Sequence, residues 1–163
     1  MIKSSAKTNV SKFIKELGTI TKGKSSIYNV AGANLRKALL DEFEILVRET
    51  PQYSGSTAAS WKIGFYQDLD TSAVELPKPA SVNEALSKGT EGPCNIAISA
   101  AEKALSSDLR EYFRSDITLH NEAPGFDTSE EGPVRPINTP PGALKRFESR
   151  LAHMKILEDY IAP

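Results

Sequence analysis

Apolar positions along this chain fall into three helical stripes and two short alternating runs, which together set out the expected architecture. From about Ile27 to about Glu49, the residues Ile27, Val30, Ala31, Leu35, Ala38, Leu39, Phe43, Leu46 and Val47 recur every three or four positions. That spacing gathers one face of a helix, which at ~1.5 Å per residue is on the order of 34 Å long. A second stripe, from Ile96 and Ala97 through Leu105, Leu109, Tyr112 and Phe113, predicts a helix from Asn95 to about Phe113. The third, carrying Leu144, Phe147, Leu151, Met154, Leu157 and Ile161, predicts a helix through about Tyr160, with Thr139 as N-cap and Pro140 or Pro141 at the first helical position. Trp61, Ile63 and Phe65 alternate with Lys62, Gly64 and Tyr66, and Ile117 and Leu119 with Thr118 and His120. Period two marks half-buried strands. Val74 with Leu76, and Val134 to Ile137, are weaker strand signals, the latter confined to a sheet edge by Pro136. Ser81–Ser87 holds a helical turn, and Lys88 to Pro93 is expected to be a loop. The fold class is α+β: a small, mostly antiparallel sheet packed with a long helix in the N-terminal half, a middle helix and a C-terminal helix.

Punctuation between these stripes is sharpest at Thr50-Pro51-Gln52-Tyr53-Ser54-Gly55-Ser56-Thr57-Ala58-Ala59-Ser60-Trp61. Proline lacks a backbone donor and disfavours helical geometry in Thr50 before it, so the long helix ends there. Ser54-Gly55-Ser56 supplies a turn with a glycine able to take positive φ. At the N-terminus, Val10, Phe13, Ile14 and Leu17 stand at helical spacing and Gly18 closes them off. Residues 1–26 are therefore an arm with a short helix and a linker, and 27–163 a single α+β domain. A loop at about 122–142 interrupts it, and so long a loop in a compact domain is functional or disordered.

Bulk numbers narrow the function classes. The 163 residues include 20 basic and 21 acidic side chains, for a formal charge of -1. No global field draws the protein to nucleic acid or membrane. Locally the balance differs: Lys3, Lys7, Lys12, Lys15, Lys22 and Lys24 face one acid, Glu16, within residues 1–24, while Asp127, Glu130 and Glu131 crowd one loop. A single cysteine, Cys94, rules out an internal disulfide and fits a reducing compartment. No apolar run approaches the roughly 20 residues of a membrane span, and no secretory leader is expected at the start of the chain. The expected setting is the cytoplasm.

A search for reactive constellations returns little. His120 and His153 are far apart in sequence and bring no convergent partners, so solvated or packed histidines account for both. Cys94 follows Pro93 at a predicted helix start, where the dipole lowers thiol pKa values; a small buried apolar residue is the simpler account. Asp68 and Asp70 have no third carboxylate at calcium-loop spacing. Ser54-Gly55-Ser56 is not a nucleophile elbow, and no phosphate-cradling glycine loop is present. The sequence predicts no catalytic residue, no metal site, no cofactor and no enzyme. The N-terminal lysines suit a solvated arm, or non-specific contact with a phosphate backbone.

Two stretches resemble the tail-completion or neck proteins of tailed bacteriophages, small components of the head-tail junction. The first landmark of that family follows a long helix: a Thr-Pro pair, two residues, Thr or Ser with Gly, and then Ser-Trp entering a strand. Thr50, Pro51, Ser54, Gly55, Ser60 and Trp61 stand at those places. The second is a strand ending in Asn, an Ala-Pro step and an acid-rich stretch closing with Glu-x-Gly; Ile117, Leu119, Asn121, Ala123, Pro124, Glu130 and Gly132 match it. Where the family usually has a tyrosine after the Ala-Pro step, this chain has Gly125, with Phe126 one place later. Thr57-Ala58 also stands where Leu-Arg is common.

The resemblance implies a virion structural protein without a catalytic site, assembled in the host cytoplasm. Such proteins form rings, a hexamer being favoured, between the portal or connector-adaptor protein and the tail tube, terminator or sheath proteins. DNA in the channel is a further, non-specific contact, for which Lys3, Lys7, Lys12 and Lys15 are candidates. Asp127, Glu130 and Glu131 are candidate subunit-interface residues, because a head-to-tail contact joins two different surfaces of one subunit. The competing expectations are a small cytoplasmic module that binds nucleic acid through its basic arm, and a hydrolase with a dispersed site.

Overall fold

A computed structural model describes residues 27–105, 108–109, 111–113, 115–124, 126 and 142–153. The described elements are α1 (Ile27–Glu49), α2 (Ser56–Ala59), β1 (Lys62–Phe65), α3 (Val82–Lys88), α4 (Glu91–Ala104), β2 (Ile117–His120) and α5 (Ala143–Ala152), with single 3-10 turns at Tyr66–Asp68 and Glu111–Phe113. Helix and strand are mixed as an α+β fold requires. Among the described residues the sheet has two strands, paired antiparallel with Lys62 opposite His120 and Phe65 opposite Ile117.

The α1 stripe forms as its spacing demands. Leu39, Phe43, Leu46 and Val47 turn into a core shared with Trp61, Ile63 and Phe65 of the first strand region. Cys94, Ala97 and Ala101 of α4, and Ala143 and Phe147 of α5, complete that core. α4 runs antiparallel to α1: Arg48 of α1 meets Glu91 at the start of α4, and Arg36 reaches Leu105 beyond its end. Phe65 and Tyr112 stack edge to face at 5.2 Å, the geometry aromatic quadrupoles favour.

Several expectations need correction. The middle helix spans Glu91–Ala104, starting earlier and stopping sooner than the predicted Asn95–Phe113. Gly92-Pro93 looks like a loop, but proline in a helix's first turn loses no hydrogen bond, because those N–H groups have no partner within the helix. At the other end, the Leu105 carbonyl accepts from Arg36 Nε at 2.7 Å and from the Tyr112 hydroxyl at 2.6 Å, which turns the chain away from helical propagation. Val74 and Leu76 form no strand; serine hydroxyls take their backbone groups instead. The first strand begins at Lys62 rather than Trp61. Its alternation also fails at Gly64, which is buried because a Cβ there would lie 3.1 Å from both Ala104 and Leu69. The Ser81–Ser87 turn is a helix, Val82–Lys88, with the Ser81 hydroxyl accepting from Glu84 N–H as N-cap. α5 begins at Ala143 behind Gly142, whose φ of 90° cannot continue a helix, so neither Pro140 nor Pro141 is its first residue. Thr139, the Val134 to Ile137 segment and the helix beyond His153 lie outside the described residues.

Candidate functional site

Thr50, the last buried residue before the helix-breaking proline, anchors the corner that the first landmark forms. Its hydroxyl donates to Leu46 O at 2.8 Å and accepts from the Trp61 indole Nε1 at 2.8 Å. The single tryptophan, 2% exposed, thus buries its ring with its one donor satisfied. Pro51 and Gln52 are buried behind it. Gly55 takes φ 85°, and a Cβ there would fall 2.3 Å from Pro93 Cγ, so both backbone shape and space demand glycine.

The short helix α2 and its C-cap Ser60 then present the Ser56 and Ser60 hydroxyls toward the extended chain that follows the strand. Ser60 Oγ accepts from Val74 N–H at 2.8 Å, and Ser56 Oγ accepts from Leu76 N–H at 2.9 Å. Two hydroxyls therefore take the backbone N–H groups of Val74 and Leu76 that a neighbouring strand would otherwise accept from.

Residues of the second landmark close on the same corner. Asn121 Nδ2 donates to Thr57 O at 2.9 Å, while its Oδ1 accepts from Ala123 N–H at 3.0 Å in an Asx turn. Ala123 is buried and Pro124 exposed. Phe126 then places its ring edge-on to Trp61, centroids 5.4 Å apart at 86°. Thr50, Gly55, Ser60, Trp61, Asn121 and Ala123 are thus gathered into one structural unit. Glu130 and Gly132 of that landmark, the interface candidates Asp127 and Glu131, and the arm lysines Lys3, Lys7, Lys12 and Lys15 lie outside the described residues.

Other residues join the unit through contacts that the sequence did not predict. Gln52 Nε2 donates to Cys94 Sγ at 3.3 Å. Cys94 is 1% exposed, and burial pushes its thiol pKa up, against the smaller opposing effect of Gln52. A helix-start dipole therefore does not make it a reactive thiolate. Arg48 bridges Glu44 and both carboxylate oxygens of Glu91, each at 2.8 Å, tying α1 to α4 beside the corner. The Glu91 and Glu44 carboxylates hold its guanidinium firmly protonated. Phe126 occupies the place next to the family's usual tyrosine, and a nearby aromatic is the one clue the sequence offered for it.

Beside the corner lies a shallow hollow of about 200 Å³, floored by Leu76, Pro77, Pro79 and Pro93 and flanked by Tyr53, whose hydroxyl donates to Pro79 O at 3.1 Å. The side chains around it are mainly apolar, with Lys88 at the rim. His120 Nε2 lies 3.2 Å from Glu122 Oε1 without the alignment of a hydrogen bond, and His153 Nδ1 is 2.7 Å from Ser149 O on an exposed helix end. Among the described residues, no three His, Cys, Asp or Glu side chains converge as metal ligands. No described helix is long and apolar enough to cross a membrane. A scan of protein-family models and searches of curated proteins and of solved structures found no match to this chain.

Proposed function

We propose that this protein is a virion structural component of a tailed phage, acting at the head-tail junction as a neck or tail-completion protein. In this reading copies of the chain form a ring, with a hexamer favoured, that joins the portal or connector adaptor to the tail. Its surfaces, rather than a reactive group, carry the activity. One observation supports the reading above the others. The two stretches that resemble the neck-protein family, about sixty residues apart, close on each other through Asn121 to Thr57 and Phe126 to Trp61. Two landmarks that share one hydrogen-bonded corner have a common structural reason to occur together in a sequence. The exposed apolar side chains Tyr66, Val82 and Leu86 are in keeping with a protein that associates, since apolar surface is left open where a partner covers it.

The purified chain, examined by light scattering and negative-stain microscopy alone and with tail tubes or filled heads, tests this. Annular particles of several copies that attach to one end of a tube are the expected result. A monomer that binds nucleic acid with an affinity falling steeply in salt would instead establish the basic-arm module.

A further inference from the structure

The chain after β1 leaves the corner and comes back to it. Leu69 returns beside Gly64, its Cδ1 lying 3.1 Å from the place a Cβ would take there. Val74 N–H then reaches Ser60 Oγ at 2.8 Å, and Leu76 N–H reaches Ser56 Oγ at 2.9 Å. Residues 69–76 therefore run back alongside β1, and the 3-10 turn Tyr66–Asp68 is the tip of the excursion. The hollow lined by Leu76, Pro77 and Pro93 lies at its other end, and Tyr66 is not among the side chains around it. We propose that Tyr66 of one copy seats in this hollow of the next, a head-to-tail contact that presupposes the ring assembly proposed above.

Size and polarity fit. Tyr66 is 71% exposed, the most open of the large apolar side chains among the described residues. The hollow is mainly apolar and measures about 200 Å³. An apolar cavity of roughly 150 Å³ takes up benzene, so a phenol ring fits this one. Thr90 on its wall makes no side-chain capping bond to α4, and its hydroxyl offers the tyrosine hydroxyl the partner that burial demands. Such a contact joins two different surfaces, so each copy keeps a tip or a hollow open for a further copy until a ring closes.

Charge selects the same partner. Asp68 and Asp70 at the tip are both exposed, and neither is ion-paired among the described residues. Beside the hollow, Lys78 stands exposed between Pro77 and Pro79 and also lacks an ion-pair partner among the described residues. The neighbouring charges are matched, Lys88 with Glu84 at 2.7 Å and Glu91 with Arg48 at 2.8 Å. Glu75 precedes Leu76 in extended chain and so turns away from the hollow that Leu76 lines. An acidic tip thus meets a basic rim, whereas tip against tip would set carboxylates on carboxylates.

Two variants, each spoiling one surface, test the contact by light scattering and sedimentation velocity. Tyr66→Ser removes the ring from the tip, and Thr90→Trp fills the hollow. Each alone is expected to assemble about tenfold more weakly than the parent, as for the loss of a central aromatic anchor. Mixed well above the concentration at which the parent assembles, they are expected to form a dimer and nothing larger. The intact hollow of the Tyr66→Ser copy then holds the intact tip of the Thr90→Trp copy. Asp68→Lys is expected to weaken assembly, and Lys78→Asp added in the same chain to restore it. That exposed charge pair carries the test if Thr90→Trp loosens α4. A parent that assembles while Tyr66→Ser assembles equally well overturns the contact and leaves ring assembly standing. So does a mixture of folded variants that stays monomeric, or a charge swap that restores nothing. A parent that stays monomeric overturns ring assembly and this contact together.

Discussion

The Thr50 hydroxyl serves as donor and acceptor at once, and this dual role explains why threonine rather than valine suits a fully buried position of the same shape. Thr50→Val keeps the volume but leaves the Trp61 indole N–H with no acceptor at a site 0% exposed. A buried donor left unsatisfied costs about 1–3 kcal/mol. The unfolding free energy from a urea titration is expected to fall by that amount, and a variant as stable as the parent would mean that water or relaxation replaces the bond. Gly55→Ala meets two penalties, the positive φ and the approach to Pro93. Positive φ alone costs a non-glycine residue of order 1 kcal/mol, so a loss above that is expected in the same titration. Cys94 behaves differently. Burial raises its thiol pKa, so a thiol-specific reagent at neutral pH is expected to label it only when the protein unfolds; rapid labelling of native protein contradicts that placement.

At the scale of elements, α5 is held on α1 by a small core and an ion network. Phe147 and Ala143 bury apolar surface, while Arg146 Nε lies 3.0 Å from Glu49 Oε2 and Arg150 contacts both Glu49 and Glu42. Burial pushes the Glu49 carboxyl pKa up, but hydrogen bonds from Arg146 and Arg150 outweigh it and the net shift is downward. A carboxylate lowered in the folded state stabilises the fold above its unfolded pKa, and that contribution is lost as pH falls through the folded value. Attachment of α5 is therefore expected to weaken on acidification below the usual glutamate range, and neutral to mildly alkaline pH to leave it intact. Arg150→Glu removes the Arg150 contacts to Glu42 and Glu49, leaving the Arg146–Glu49 pair, and is expected to cost roughly 1–3 kcal/mol at neutral pH, between exposed and buried ion pairs. Melting curves of the parent and this variant at pH 7 and pH 3.5 check both points, since the gap between them should narrow in acid.

The long α1 and the Pro51 stop were plain from the sequence because periodicity and proline act locally. The end of α4 and the course of residues 74–76 were not. They depend on Arg36, Tyr112, Ser56 and Ser60, side chains whose partners lie 7 to 69 residues away. Gly64, buried where alternation predicted exposure, fails for a related reason: its cover comes from Ala104 and Leu69, neither of them a strand neighbour. The corner itself was half legible. Thr50, Gly55 and Trp61 announced a turn, but nothing in the pattern required Asn121 and Phe126 to close it.

For the whole molecule, the question is which surface a second copy would use. Val82 and Leu86 lie one turn apart on α3, 58% and 57% exposed, while Ala85 between them faces inward. α3 lines the hollow beside Tyr53, Leu76 and Pro77 through Ala85 and Lys88, while Val82 and Leu86 stand next to each other on its open face. Single exposed apolar residues are ordinary, whereas a contiguous group on a folded surface is associated with contact. The helix also has its capping serine and its Lys88–Glu84 pair at 2.7 Å, so its fold does not depend on covering that face. Val82→Asp combined with Leu86→Asp should then leave the subunit's own stability within about 0.5 kcal/mol, as expected for surface changes. Under the proposed ring assembly, the same pair of charges is repeated at every junction and must be desolvated each time, so the effect on assembly greatly exceeds the effect on the fold. Light scattering is expected to show the multi-copy particle reduced to monomer while the melting curve holds. An unchanged particle mass would remove α3 from the subunit contact, and a melt lowered with the mass would make Val82 and Leu86 part of the fold rather than of the interface.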